Sequence, residues 1–180
     1  MTHFIIRQAT VFDIPALEKL VNSAFRGESS RLGWTTEADL LDGIRIDKDS
    51  LHDMIKTPDA VILNYYGEEQ TLVACVFLKK QETNLYLGML TVAPSQQNKG
   101  IGKMLMLAAE SYALSHNCNI ITMNVLNNRE ELTDWYVRQG FYFTGETKEF
   151  PNDKRFGIPK KELLFHIMQK DLVKKNGSVI

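Results

Sequence analysis

The sequence predicts an α/β layered domain built on a mixed, mostly antiparallel twisted sheet of about seven strands flanked by helices. Three observations lead there. Hydrophobic spacing switches repeatedly between the helical and the strand period along the chain. Three β-rich segments, Ala60–Tyr66, Thr71–Lys80 and Asn84–Val92, follow one another across Gly67-Glu68-Glu69 and Gln81-Glu82-Thr83, linkers short enough for hairpins. The strand that ends at Pro94 is then followed by a helix and the strand Asn119–Val125, and a helical crossover joins parallel neighbours.

Phe4–Ala9 carries β-formers and reads as the opening strand. Asp13 stands at an N-cap with Pro15 just inside, and Ile14, Leu17, Leu20, Val21, Ala24 and Phe25 follow at helical spacing, giving a helix over Asp13–Phe25. Arg26–Ile46 is a polar excursion with Gly27, Gly33 and Gly43, of a length that marks a binding loop or lid. Thr35 or Thr36 is expected to cap a short helix over Glu37–Gly43, with another short turn over Ser50–Lys56. Pro94 ends its strand for want of an N–H. Ile101, Met104, Leu105, Ala108 and Tyr112 mark one face of a helix running to about His116. Arg129–Gln139 reads as a helix with Leu132, Trp135 and Tyr136 on one side, closed by Gly140. Phe141–Lys148 and Glu162–Gln169 are the last strands, around the loop Phe150–Pro159. The element order is β-α-(α)-β-β-β-α-β-α-β-β, as one domain over residues 1–170 with a fraying polar tail over 171–180.

Composition narrows the classes of function. At 44% hydrophobic and 24% charged residues the chain sits at globular averages, which sets aside global disorder. A formal charge of -1 argues against a coat for nucleic acid or anionic membrane. Cys75 and Cys118 lie in apolar runs and read as buried thiols of a reducing compartment. The four histidines have no metal-ligand spacing, so no metal is expected. With no secretory h-region and no bilayer-length apolar run, the expectation is a cytoplasmic protein with no membrane and no nucleic-acid partner.

The segment Val92-Ala93-Pro94-Ser95-Gln96-Gln97-Asn98-Lys99-Gly100-Ile101-Gly102-Lys103 joins a strand to a helix whose first N–H groups have no internal partner. An anion there would meet those donors and the positive end of the helix dipole. Gly100 and Gly102 remove Cβ atoms that would hold a phosphate off the backbone, and Lys99 and Lys103 add charge. A Walker A loop is excluded by Gln97 and Met104, and a dinucleotide fingerprint by Leu105. What is left is a pyrophosphate seat or a plain glycine turn with solvated lysines.

Gln97-x-x-Gly100-x-Gly102 after Leu90-Thr91-Val92 resembles the acyl-CoA loop of the GNAT superfamily of N-acetyltransferases. Two further stretches agree in order: Ile6-Arg7-Gln8-Ala9-Thr10-x-x-Asp13-Ile14-Pro15, and Asn128 to Gly140-Phe141 with Tyr136 shortly before Gly-Phe. The resemblance spans roughly residues 4–170 and implies a GNAT-like fold with acetyl-CoA as acyl donor. It implies that Leu90, Thr91 and Val92 pair with the pantetheine arm as an added strand would, and that the Val92 N–H faces the thioester oxygen. Amides of Asn98, Lys99, Gly100, Ile101, Gly102 and Lys103 would hold the pyrophosphate, with the Gln97 side chain closing the loop. Asn128 either touches the cofactor or caps its helix. Tyr136 resembles the family's general acid, while Leu132 and Trp135 on the same side also fit a core aromatic.

The implied reaction moves an acetyl group directly to a primary amine of a small molecule or protein. The alternative is an acyl-CoA-binding sensor without efficient chemistry, suggested by the lack of a glutamate in Tyr86-Leu87-Gly88-Met89-Leu90, where many relatives place one. No base is assigned; Glu28, Glu37 and Asp39 could act directly or through water but read more readily as solvated carboxylates or caps, and Asn124 either orders a water or ends its strand. The acceptor pocket is expected between Arg26–Glu37 and Phe150–Pro159, with Glu28, Arg31 and Trp34 as substrate-binding candidates; Arg31 and Trp34 suit an acidic or planar group. Trp34 packing on its own loop is equally consistent. The identity of the amine acceptor is not encoded legibly, and a homodimer stays open.

Overall fold

The computed structural model describes residues 4–172. Strand β1 (Ile5–Gln8) leads through a tight turn into α1 (Ile14–Phe25), and the excursion carries a helical turn α2 (Gly27–Ser30), strand β2 (Leu41–Asp42) and helix α3 (Lys48–Lys56). The meander is β3 (Ala60–Tyr66), β4 (Leu72–Gln81) and β5 (Asn84–Val92). Helix α4 (Ile101–Ser115), β6 (Ile120–Leu126), α5 (Glu130–Arg138), β7 (Tyr142–Glu149), β8 (Ile158–Pro159) and β9 (Leu164–Asp171) complete the chain. Seven strands form one sheet in the order β1-β3-β4-β5-β6-β9-β7, and β2 with β8 makes a separate ribbon. Every neighbouring pair is antiparallel except β5 with β6, as the crossover rule requires.

Helices cover both faces of this sheet. Along β4, Ala74, Val76 and Leu78 join the core beneath α4, whereas Cys75 and Phe77 join the core beneath α1 and α3. That two-sided burial explains why β4 is apolar throughout rather than alternating. Cys75 and Cys118 are buried free thiols.

Four local expectations are corrected. The Asp13 side chain does not cap α1; it accepts from the N–H and hydroxyl of Thr10 and from the Tyr66 hydroxyl, tying the turn to β3. The helix expected over Glu37–Gly43 stops at a single turn, in which Thr36 Oγ1 accepts from Ala38 N and Leu41 N donates to Glu37 O, because Leu41–Asp42 leaves to pair with Ile158–Pro159. Helix α3 starts earlier than Ser50, since Asp47 caps it through Ser50 N at 2.7 Å. The buried face of α4 is Ile101, Leu105, Met106, Ala109 and Ala113, not the stripe with Met104 and Ala108. Both stripes are apolar at helical spacing, and the one with two alanines lets α4 approach the sheet closely. β9 reaches Asp171, Leu172 N donates to Asn119 O at 2.7 Å, and the rest of the expected tail lies outside the described residues. No helix among the described residues is long and apolar enough to cross a membrane.

Leu105 is 0% exposed and Leu107 53% exposed on the same helix. Leu105→Ala should cost about 2–5 kcal/mol in urea unfolding, and Leu107→Ala under about 0.5 kcal/mol.

Candidate active site

The site grows from a defect in strand pairing. β5 and β6 pair only over Asn84–Tyr86 with Ile120–Thr122. Beyond Tyr86, Met89 takes a left-handed conformation (φ 50°) and two β5 residues, Met89 and Leu90, oppose the single Val76 of β4. A bulge of this kind bends its strand and increases the local twist, so β5 diverges from β6. Ala93 N donates to Val73 O on the β4 side. By alternation, the N–H groups of Leu90 and Val92 point into the gap on the β6 side.

After β5 the chain turns through Pro94–Gln96, takes left-handed backbone at Asn98 (φ 63°) and Gly100 (φ 79°), and enters α4. Turned backbone before a helix start collects N–H groups into an anion-binding concavity. None of the six amides from Asn98 to Lys103 has an acceptor among the described residues, and no side chain caps α4. Space beside Gly100 is open, whereas a Cβ at Gly102 would rest against the Trp135 ring at 3.4 Å. Gly100 therefore clears the concavity, and Gly102 makes room for Trp135. Lys103 is exposed, and Lys99 donates to Gln96 Oε1 at 3.0 Å. The Gln97 side chain does more than close its own loop. It accepts from Trp34 N at 2.9 Å and donates to Thr35 Oγ1 at 2.9 Å and Val92 O at 3.2 Å, clamping the excursion onto the end of β5. Gly33 permits that clamp, since a Cβ there would lie 2.6 Å from Gln97 Oε1.

Two cavities meet at this point. One, of about 260 Å³, runs from the Asn98–Lys103 loop past Val92 and Trp135 to Tyr136. The other, of about 270 Å³, lies between the excursion and the Phe150–Pro151 and Phe156 loop; these are the segments between which the sequence places an acceptor pocket, and the cavity is called the acceptor-side cavity for that position alone. Thr35, Leu90, Leu132 and Tyr136 line both. Tyr136 is buried among Trp135 and Phe141, and its hydroxyl has no protein partner among the described residues. Burial pushes its phenol well above the ordinary tyrosine value, a shift partly opposed by Arg129, so the group stays protonated.

The acceptor-side cavity contains a charge cluster. Glu37 is held between Arg26, through a short ion pair, and Arg129 at 3.3 Å; Arg129 also donates to Thr35 O and Arg26 to Phe156 O. Desolvation lowers both arginine pKa values, and Glu37 opposes this. Arg45 lines the same cavity. Sequence reasoning named the Arg26–Glu37 segment but no role for Arg26, Arg45 or Arg129; buried charge is visible only once distant segments meet.

Other candidates fall elsewhere. Arg31 pairs with Glu28 and Asp39 at the surface, outside both cavities, where all three are solvated. Trp34 lines the loop-side cavity rather than the acceptor side. Asn128 is exposed, donates to Asn127, and does not cap α5, whose N-cap is Arg129. Asn124 faces the acceptor-side cavity from within β6. No cluster of metal ligands occurs among the described residues.

The sequence matches the model of the Acetyltransferase (GNAT) family over residues 16–141. Among solved structures, the ribosomal-protein-S18-alanine N-acetyltransferase from Escherichia coli superposes with a TM-score of 0.71 at 11% identity, covering 99% of each chain. An N-acetyltransferase from Staphylococcus aureus Mu50 gives 0.71 at 18% identity, covering 96% of this chain and 99% of that one. The PaiA N-acetyltransferase from Thermoplasma acidophilum in complex with coenzyme A gives 0.66 at 18% identity, covering 94% and 99%. At these identities the structures establish a shared fold.

Removing the charge of Glu37 leaves two buried guanidinium groups facing each other. Glu37→Gln should lower unfolding free energy by about 3–5 kcal/mol in urea melts, whereas Asp39→Asn at the exposed pair should leave the melt essentially unchanged.

Proposed function

The chain belongs to the acetyltransferase (GNAT) family, and on that premise we propose that it moves an acetyl group from acetyl-CoA directly to a primary amine. The observation that carries this function is the run of six amides, Asn98 to Lys103, without an acceptor among the described residues and placed at the start of a 15-residue helix. Donors so arranged fit a diphosphate. The edge of β5 at Leu90–Val92 fits an extended amide-bearing arm that pairs as an added strand. Trp135, Leu132 and Val92 give that arm an apolar wall.

Acetyl-CoA, when bound, supplies the activated thioester. The chain's own residues then have three tasks. Val92 N–H, aimed into the gap, stabilises negative charge developing on the acyl oxygen. Tyr136, at the junction of the cavities and kept protonated by burial, donates its proton to the departing sulfur. The guanidinium groups of Arg26, Arg45 and Arg129 disfavour a second positive charge nearby, which favours the neutral, nucleophilic form of the amine. For a lysine-like amine, neutralisation costs about 4–5 kcal/mol at pH 7, so this bias matters. Glu37 is not assigned as base, because both its oxygens are engaged by arginine; the amine proton passes to water. That engagement also motivates the rival reading, an acyl-CoA sensor without efficient transfer.

Tyr136→Phe should lower kcat about 100-fold in a thiol-release assay while calorimetric CoA affinity changes less than about twofold. Stability should hardly move, since the hydroxyl has no protein partner to lose. An unchanged kcat would remove Tyr136 from the reaction. Tight CoA binding with no transfer to any amine of a broad panel would favour the sensor.

A further inference from the structure

Among the residues lining the acceptor-side cavity, three are arginines and Glu37 is the one carboxylate. Glu37 is consumed by Arg26 and Arg129. Arg26 is occupied as a clip: one nitrogen meets Glu37, another donates to Phe156 O at 3.1 Å, and Nε is buried without a partner. Arg45 is different. Its guanidinium makes no hydrogen bond or ion pair with any described side chain and lies 5.8 Å from the centre of the Phe25 ring. Its backbone is fixed all the same. Asn22 of α1 accepts from Arg45 N at 2.7 Å and Ile46 N at 3.2 Å, and donates to Ile46 O at 2.8 Å. A half-buried cation is thus held in a cavity whose lining carries two net positive charges, with no anion among the described residues paired to it.

Resting on the transferase reading above, we propose that the acceptor is a small amine that also carries an anionic group, a carboxylate or phosphonate, and that Arg45 is the specificity-determining residue that receives it. A guanidinium fork matches such planar or tetrahedral oxyanions, and a partly desolvated setting strengthens the pair. The cavity supports a small acceptor: at about 270 Å³ it lies at the lower end of small-molecule sites, which run to roughly 1,000 Å³. Its wall of Phe25, Tyr86 and Phe150 leaves room for a carbon skeleton between the anionic end at Arg45 and the amine at the Leu90–Tyr136 junction. A polyamine would meet three guanidinium groups of its own sign and is disfavoured.

The test is steady-state acetylation of matched amines, L-alanine and L-glutamate against L-alaninamide and 1,3-diaminopropane, by wild type, Arg45→Gln and Arg45→Lys. The carboxylate-bearing amines should give kcat/KM about 10- to 100-fold above the amide and the diamine. Arg45→Gln should erase that preference, chiefly by raising KM for the carboxylate-bearing amines, and Arg45→Lys should restore part of it. Equal or better use of the amide or diamine by wild type, or a preference untouched in Arg45→Gln, overturns the proposal while leaving acetyl transfer standing. If no amine releases CoA, transfer itself fails. Calorimetry with N-acetyl-L-glutamate and N-acetyl-L-alaninamide then decides the anion site: binding of the acid alone, lost in Arg45→Gln, upholds it, and no preference for the acid overturns it.

Discussion

The divergence of β5 from β6 beyond Tyr86 is the constraint on which the site depends. A continuous parallel ladder would consume the N–H groups of Leu90 and Val92 and close the space in which the proposed reaction brings donor and acceptor together. The bulge at Met89–Leu90 prevents that by setting two residues against Val76. Asn98, Lys99, Gly100 and Lys103 are exposed, so water can meet the donors of this loop until a ligand displaces it. In the proposed function, the strand edge and the acceptorless amides of Asn98–Lys103 are the complement of a ligand rich in amide and phosphate groups.

The excursion Arg26–Ile46 is held over this gap at points far apart in sequence. Gln97 clamps Trp34 and Thr35 from the loop side. Arg129, at the start of α5, holds Thr35 O and Glu37, and Arg26 bridges Glu37 to Phe156. Thr35 thus stands where the loop-side and acceptor-side cavities join, and Tyr136 also lines both. Buried ion clusters contribute little net stability, because desolvation offsets attraction, but they tie segments into one geometry. Here the geometry they fix is the mouth of the acceptor cavity.

The loop Gln97–Lys103 was legible in the sequence because its chemistry is local: proline, glycines and an uncapped helix start lie within ten residues. The meander and the parallel pair were legible for the same reason, through short linkers and one helical crossover. For Glu28 and Arg31 the sequence offered no way to choose, because a charged residue on an excursion looks the same whether it points to solvent or to a pocket; they pair with each other at the surface. The cluster that does line the acceptor cavity was hidden, since Glu37 and Arg129 are separated by 92 positions. The two-residue ribbon of β2 and β8 is too short to leave a periodic signal. For α4, two apolar stripes competed, and only packing against β4 and β5 chose between them.

The central claim, that the amides of Asn98–Lys103 receive a diphosphate, is tested most directly by backbone NMR titration with CoA and with pantetheine, which lacks the diphosphate. The account predicts that CoA binds with its largest amide shifts at residues 98–103, and that pantetheine binds at least about 100-fold more weakly. Equal affinity for the two, with those amides unmoved, or no affinity for CoA at all, would contradict it.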